Sequence, residues 1–175
     1  MEITMKNLFP DDYRSSILEI TPEYLKKRKL RGVILDIDNT LIGHNVPLPD
    51  EKVSALLDEY RRAGIGMCVV SNNRPERVAP FCEKIGVPDF VADALKPAAK
   101  GYIKAAEVLG LRPEETAAIG DQIFTDVWGA RRAGCFAVLL KPIHKGGEGA
   151  FIAFKRVLEI PILCLAKAHF RTPNS

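Results

Sequence analysis

Short apolar runs rich in β-branched residues alternate with longer stretches of helical periodicity through the middle of the chain. That alternation predicts an α/β domain in which a parallel sheet is flanked by helices. Strands are expected near residues 32–37, 65–71, 89–92, 116–120 and 135–140. Between the first two, Pro49 and Asp50 open a pattern with Val53, Leu56, Leu57 and Tyr60 on one face, closed by Ala63-Gly64. A second helix is predicted from Pro75 to Ile85 with Gly86 as its stop, and Pro80 inside it removes a hydrogen bond and should kink or delay it. A third begins at Pro97, with Ile103, Ala106 and Gly110 on one face and Lys100, Lys104 and Glu107 on the other. The fourth, near 123–133, ends at Gly134. Right-handed crossovers then gather the carboxyl ends of the strands at one edge, where open α/β sheets bind ligands.

Each expected strand ends in polar groups. Asp36 and Asp38 close the run Gly-Val-Ile-Leu, and two carboxylates at the end of a buried strand call for a cation, with Mg²⁺ as the hard ion that takes oxygen ligands. The second strand ends Ser71-Asn72-Asn73, a hydroxyl and backbone N–H groups at a helix entrance suited to a phosphate. The third is followed by Lys96-Pro97, and the fourth ends Gly120-Asp121 and continues to Asp126, with Gly120 permitting close approach to a ligand. Taken singly, each has a plainer alternative: a polar turn at Asp36 to Thr40, helix caps at Ser71 and Asp121, a solvated lysine at Lys96. Their joint occurrence at four strand ends, in this order, argues for one site.

The overall net charge of +3 hides a polarity along the chain: residues 1–31 hold seven Lys/Arg and five Asp/Glu, residues 32–140 twelve and fifteen, and residues 141–175 six and two. The densest cluster is Lys26, Lys27, Arg28, Lys29 and Arg31, which reads either as a solvated face or as a surface for anionic lipid or nucleic acid. No stretch reaches the roughly 18 apolar residues that span a bilayer, and the first residues lack a signal-peptide order, so a cytoplasmic protein, peripheral to a membrane at most, is expected. Cys68, Cys82, Cys135 and Cys164 have no metal-ligand spacing and are expected to be free thiols. At 175 residues the chain suits one domain, with a core over about residues 30–142 and extensions at 1–29 and 143–175 that pack on it or on a membrane.

The chemistry these groups support is phosphomonoester hydrolysis. Asp36 would attack phosphorus and carry the phosphoryl group as an aspartyl-phosphate. Asp38 would protonate the leaving oxygen and then deprotonate the attacking water. Ser71, Asn72 and neighbouring N–H groups would hold the phosphoryl oxygens, and Lys96 would neutralise charge between nucleophile and phosphate. Asp36, Asp121 and Asp38, the last through its carbonyl, would hold Mg²⁺, with Thr40, Asn73, Gly120 and Asp126 in support.

Asp36-x-Asp38-x-Thr40, Ser71-Asn72-Asn73, Lys96-Pro97 and Gly120-Asp121-x4-Asp126 together resemble the four ordered motifs of the haloacid dehalogenase (HAD) superfamily of phosphatases. The fuller strings Asp-Ile-Asp-Asn-Thr-Leu, Val-Val-Ser-Asn-Asn, Leu-Lys-Pro and Ile-Gly-Asp-Gln-Ile-Phe-Thr-Asp, with Leu8-Phe-Pro-Asp-Asp-Tyr at the start, resemble its YqeG-type branch in subfamily IIIA. The resemblance implies a Rossmann-like three-layer sandwich with a mainly parallel sheet of about five strands. It also implies a phosphatidylglycerophosphate phosphatase of phosphatidylglycerol and cardiolipin synthesis, since this branch is similar to a mitochondrial enzyme of that activity. The stretch Ile42-Gly-His-Asn-Val-Pro-Leu-Pro departs from the branch's commoner acidic or aromatic residues, and His44 in it reads either as a solvated loop histidine or as a headgroup contact.

Thirty residues separate Thr40 from Ser71 and 24 separate Ser71 from Lys96, too few for an inserted lid, so the site is expected to be capless. An open site suits a phosphate on a lipid headgroup at an anionic membrane, and Phe151, Phe154 and Leu158 at helical spacing could lie on such a surface. The alternatives are a soluble phosphatase of small metabolites and a low-turnover binding or assembly protein on the same fold. Nucleic acid is not an expected partner, and the oligomeric state is not readable from the sequence.

Overall fold

The structure, a computed structural model, describes residues 5–43, 46–143 and 158–164. Six parallel strands form one sheet: β1 (Asp12–Arg14), β2 (Gly32–Leu35), β3 (Gly66–Val70), β4 (Phe90–Val91), β5 (Thr116–Gly120) and β6 (Phe136–Leu140), in the order β1-β6-β5-β2-β3-β4. The helices are α1 (Pro22–Lys27), α2 (Glu51–Arg62), α3 (Pro75–Lys84), α4 (Ala99–Val108) and α5 (Trp128–Ala133). The chain builds outward from β2 through β3 to β4, then crosses back to β5 on the other side of β2. The carboxyl ends of β2 and β5 therefore flank the point where the winding reverses, the crevice in which open sheets of this kind bind ligands.

β2 is buried at all four residues, which is why it reads as a continuous apolar run rather than an alternating one. Its side chains still divide by the two-residue period of a strand. Val33 and Leu35 join α2 and α3 through Leu56, Leu57, Tyr60 and Val78 on one face, while Ile34 joins α4 and α5 through Tyr102, Ala105 and Ala130 on the other. Local chemistry sets the helix limits. Asp50 accepts the Val53 N–H at 2.8 Å to start α2, and Gly134, at φ +87°, ends α5. α3 runs through Pro80 without interruption. The carbonyl that loses its donor there belongs to exposed Glu76, where water can replace the bond.

The sheet has one strand more than the apolar pattern predicts. β1 is three residues long with charges at Asp12 and Arg14, and it exists because the edge of β6 is there to pair with. Two aspartates fasten it. Asp11 accepts the Ala137 N–H at 2.8 Å, and buried Asp12 accepts from the Tyr24 hydroxyl at 2.7 Å, Arg14 at 2.9 Å and Arg28 at 3.4 Å. The arginines of the cationic cluster at the end of α1 are exposed but paired: Arg28 binds Asp12 and stacks on Tyr24 at 3.8 Å, and Arg31 binds Glu115 at 3.1 Å. Lys26, Lys27 and Lys29 are exposed, and the whole cluster precedes β2, at the amino edge of the sheet.

The predicted helix over 123–133 begins instead as a π-helical turn, Ile123–Val127, before α5. At the carboxyl end of the chain, residues 158–164 are helical; buried Glu159 accepts the Phe124 N–H at 2.9 Å, and Ile162 and Leu163 pack on the α4/α5 face. His44, Phe151 and Phe154 lie outside the described residues. Cys68, Cys82 and Cys135 are buried and Cys164 exposed, all as free thiols.

Candidate active site

The residue after β2 is Asp36, held to the sheet by its N–H to the Ile119 carbonyl at 3.0 Å. The chain then turns sharply. The Ile37 carbonyl accepts from Leu41 at 3.0 Å and Ile42 at 3.2 Å, and Asn39 takes φ +62°, a left-handed conformation that asparagine tolerates better than most residues. This loop leaves Asp38 pointing to α3. Its carboxylate accepts from Arg77 Nη2 at 2.6 Å and from Asn73 Nδ2 at 3.2 Å. Asn73 also bonds the Ser71 hydroxyl oxygen, through its backbone N–H at 3.1 Å and its side chain at 3.0 Å. Ser71 is buried, and with both bonds accepted its own hydroxyl hydrogen is left to donate.

Lys96 is carried in from the loop after β4. Its side chain is only 5 % exposed, and its ammonium bonds Asp36 directly and Asp126 at 2.7 Å. Asn72 fixes the backbone of this loop: its Oδ1 accepts the Lys96 N–H at 2.6 Å and its Nδ2 donates to the Lys96 carbonyl at 3.3 Å. The amide of Asn72 is thereby engaged in holding Lys96.

Asp121 follows β5 and is buried. Asp126 reaches the same place through the π-helical turn, which widens the backbone spacing and aims its side chain back at the strand end. Its Oδ2 accepts the Gln122 N–H at 3.1 Å, and Tyr102 donates to its Oδ1 at 3.4 Å. Gly120 makes this possible, because a Cβ there would lie 2.4 Å from the Asp126 Cβ. The close approach anticipated at Gly120 is therefore that of Asp126.

One carboxylate oxygen from each of Asp36, Asp121 and Asp126 lies within 4.8 Å of the other two. Three buried or nearly buried carboxylates make an all-oxygen donor set, which fits a hard divalent cation. Burial pushes the Asp36 carboxyl up to about 6, with the charges of Asp126 and Asp38 adding to it and Lys96 opposing. Burial favours the neutral amine at Lys96, but Asp126 and Asp36 outweigh it and hold the ammonium well above its ordinary range. Burial, then Asp126, raises the Tyr102 phenol in the same way.

The fold brings Asp36, Asp38, Thr40, Ser71, Asn72, Asn73, Lys96, Gly120, Asp121 and Asp126 to this edge of the sheet. Thr40 and Asn39 are buried beneath the first loop, and Asp36, Lys96, Asp121 and Asp126 form its floor. Two contributors carried no signal in the sequence. Arg77 and Tyr102 read as ordinary helix positions, and their partners Asp38 and Asp126 are 39 and 24 residues away.

A family model described as haloacid dehalogenase-like hydrolase matches residues 43–134, a segment that includes Ser71, Lys96, Asp121 and Asp126. The chain is 36% identical over 162 residues to the Bacillus subtilis (strain 168) protein named Probable phosphatase YqeG, with 93% of each chain covered. It is 33% identical over 142 residues to a glyceraldehyde 3-phosphate phosphatase of Pyrococcus furiosus, covering 76% of this chain and 58% of that one. Among solved structures, the cobalt-bound deoxy-D-mannose-octulosonate 8-phosphate phosphatase of Haemophilus influenzae shares the fold at a TM-score of 0.53 and 19% identity, covering 77% of this chain and 90% of that one.

Proposed function

Because the chain belongs to the haloacid dehalogenase-like hydrolases and is a phosphatase, we propose that it is a Mg²⁺-dependent phosphomonoesterase that works through an aspartyl-phosphate on Asp36 and acts on phosphatidylglycerophosphate at a membrane face. The observation that carries the mechanism is the direct contact of buried Lys96 with both Asp36 and Asp126 at the point where the sheet winding reverses. Asp36 attacks phosphorus, and the bond to the leaving alcohol breaks as the Asp36 Oδ–P bond forms. Asp38 gives the leaving oxygen its proton, then takes one from a water that attacks phosphorus, releasing inorganic phosphate and restoring Asp36. Ser71 donates its hydroxyl hydrogen to a phosphoryl oxygen, and Lys96 uses its remaining N–H on another. Asp36, Asp121 and the Asp38 carbonyl would hold Mg²⁺, which would neutralise charge on the phosphoryl oxygens. Asp126 positions Lys96 rather than touching the substrate.

The lipid reading is supported by the rim. Only α2 and β3 lie between Thr40 and Ser71, and only α3 and β4 between Ser71 and Lys96, so no inserted domain covers the site among the described residues. Leu95, beside Lys96, is 76% exposed and sits at φ +53°, a conformation that costs an L-residue about 1–2 kcal/mol. Val46 and Ile143 are exposed beside the catalytic loop: Val46 lines a groove with Ile37 and Ile42, and the Ile143 N–H bonds the Asn39 carbonyl at 3.2 Å. A leucine both strained and exposed gains nothing from folding and has a use at an apolar interface. Contact through Lys26 to Arg31 would instead turn the site away from the bilayer, since that cluster is at the opposite edge.

Vesicles containing phosphatidylglycerophosphate should release inorganic phosphate with Mg²⁺ and not with the Asp36→Asn protein. Absence of turnover above that control refutes the substrate. The soluble-metabolite reading has support in the relative named for glyceraldehyde 3-phosphate, and a strong preference for one soluble ester without vesicles would establish it instead.

A further inference from the structure

A groove of about 190 Å³ runs from the catalytic loop along α3, with Ile37, Ile42, Pro47 and Phe81 as its apolar walls and Arg77 and Lys84 as its cations. Three of its lining residues adjoin Asp38: Ile37 precedes that residue, Ile42 is bridged to it, and Arg77 Nη2 touches its carboxylate at 2.6 Å. Arg77 and Lys84 are seven residues apart on one helix, roughly 10 Å along its axis, so the cations stand at the near and far ends. Lys84 also borders a second hollow of about 240 Å³, where Asp58 is already bound by Arg61. The first groove is open to solvent along one side, so an alcohol can lie in it with part of its length in water.

We propose that this groove is the leaving-group subsite, and that Lys84 selects substrates whose leaving alcohol carries a second anionic group beyond the scissile phosphate. The inference rests on the reading of Asp38 as the residue at the leaving oxygen. The alcohol must depart past Asp38, and the groove is the concavity that begins there. Its apolar walls accept a carbon chain; Arg77 is engaged by the Asp38 carboxylate, and Lys84, with no carboxylate among the groove's described lining residues, favours a negative charge at the far end of that chain. A phosphodiester and a carboxylate share that chemistry.

The probes are glycerophosphoglycerol for the diester, glycerate for the carboxylate and glycerol as the uncharged control. Each is titrated calorimetrically into the full-length Asp36→Asn protein with Mg²⁺ and saturating inorganic phosphate, so that the phosphoryl position is occupied. One or both anions should bind and glycerol should not, and the affinity should fall with added salt. Lys84→Glu should weaken binding about tenfold or more and Lys84→Arg restore it, while Lys104→Glu on α4 should leave it unchanged. In turnover, Lys84→Ala should raise KM for an ester with an anionic leaving group far more than it lowers kcat, and should lower selectivity over p-nitrophenyl phosphate about tenfold. Lys84 is exposed at the end of α3, and a native melting curve for each variant excludes misfolding as the cause. Equal anion binding by wild type and Lys84→Glu, or no binding above glycerol, overturns the subsite. Lys84-dependent binding without turnover of any ester would leave the subsite standing and overturn the phosphatase mechanism instead.

Discussion

Lys96→Met tests the electrostatics of the site most directly. The substitution keeps the length and apolar stem of the side chain but removes the ammonium that stands between Asp36 and Asp126, whose side chains are 13% and 7% exposed. Removing one partner of a buried ion pair costs about 3–5 kcal/mol when the other charge remains. Here the remaining charge can be neutralised. Asp36 is pushed up to about 6 even with Lys96 in place, against an ordinary value of 3.8. A carboxyl raised on folding binds its proton more tightly in the folded state, so its contribution to stability is full below the unfolded pKa and is lost as pH rises through the folded one. A displacement of about two pH units corresponds to roughly 3 kcal/mol. Without Lys96 the displacement grows, and the window of loss moves above pH 6. Urea unfolding of Lys96→Met should therefore show a deficit of about 3–5 kcal/mol at pH 8 that shrinks to less than half at pH 5, where Asp36 is neutral and Asp126 keeps its bonds from Gln122 and Tyr102. Millimolar Mg²⁺ should recover part of the deficit at pH 8. A deficit equal at both pH values, or none, would refute the assignment of Lys96 as the charge that makes ionised Asp36 tolerable.

Gly120→Ala drives a methyl group into the Asp126 side chain; it should cost about 1–3 kcal/mol in thermal unfolding and lower kcat through the displaced Asp126–Lys96 pair. Asn72→Ala removes both side-chain bonds to the Lys96 backbone, and stopped assays with p-nitrophenyl phosphate should show kcat/KM reduced about tenfold with stability lowered by only about 1 kcal/mol. Asp12→Asn weakens the ties to Arg14, Arg28 and Tyr24 that fasten β1; with the arginines about one-third exposed, a loss of about 1–3 kcal/mol is expected, with hydrogen exchange accelerated in residues 12–14 and β6 and the catalytic edge unaffected.

Where the chain consults only its neighbours, the sequence was sufficient. Gly32–Leu35, Gly66–Val70 and Thr116–Gly120 are buried on both faces, so their apolar runs are unambiguous, and Asp50, Gly86 and Gly134 mark helix ends by local backbone chemistry. The residues of the first loop and of Ser71, Lys96, Asp121 and Asp126 were legible because a strand end is a fixed place in a parallel sheet, and four strand ends share one edge. β1 was not legible, because three residues with two charges have no period and become a strand only against β6. Nor was the π-helical turn, which an apolar pattern cannot distinguish from an α-helical start.

What the sequence determined by itself was therefore the kind of chemistry: carboxylates, a hydroxyl and an ammonium in an order that a parallel sheet must bring together. The tertiary structure alone decided how they are paired. That Lys96 lies between Asp36 and Asp126, that Asn72 holds Lys96 and that Arg77 binds Asp38 all depend on through-space contacts between residues 24 to 60 positions apart. A one-dimensional pattern records the period of a strand or helix; distances across the ends of a twisted sheet arise only when the elements are packed.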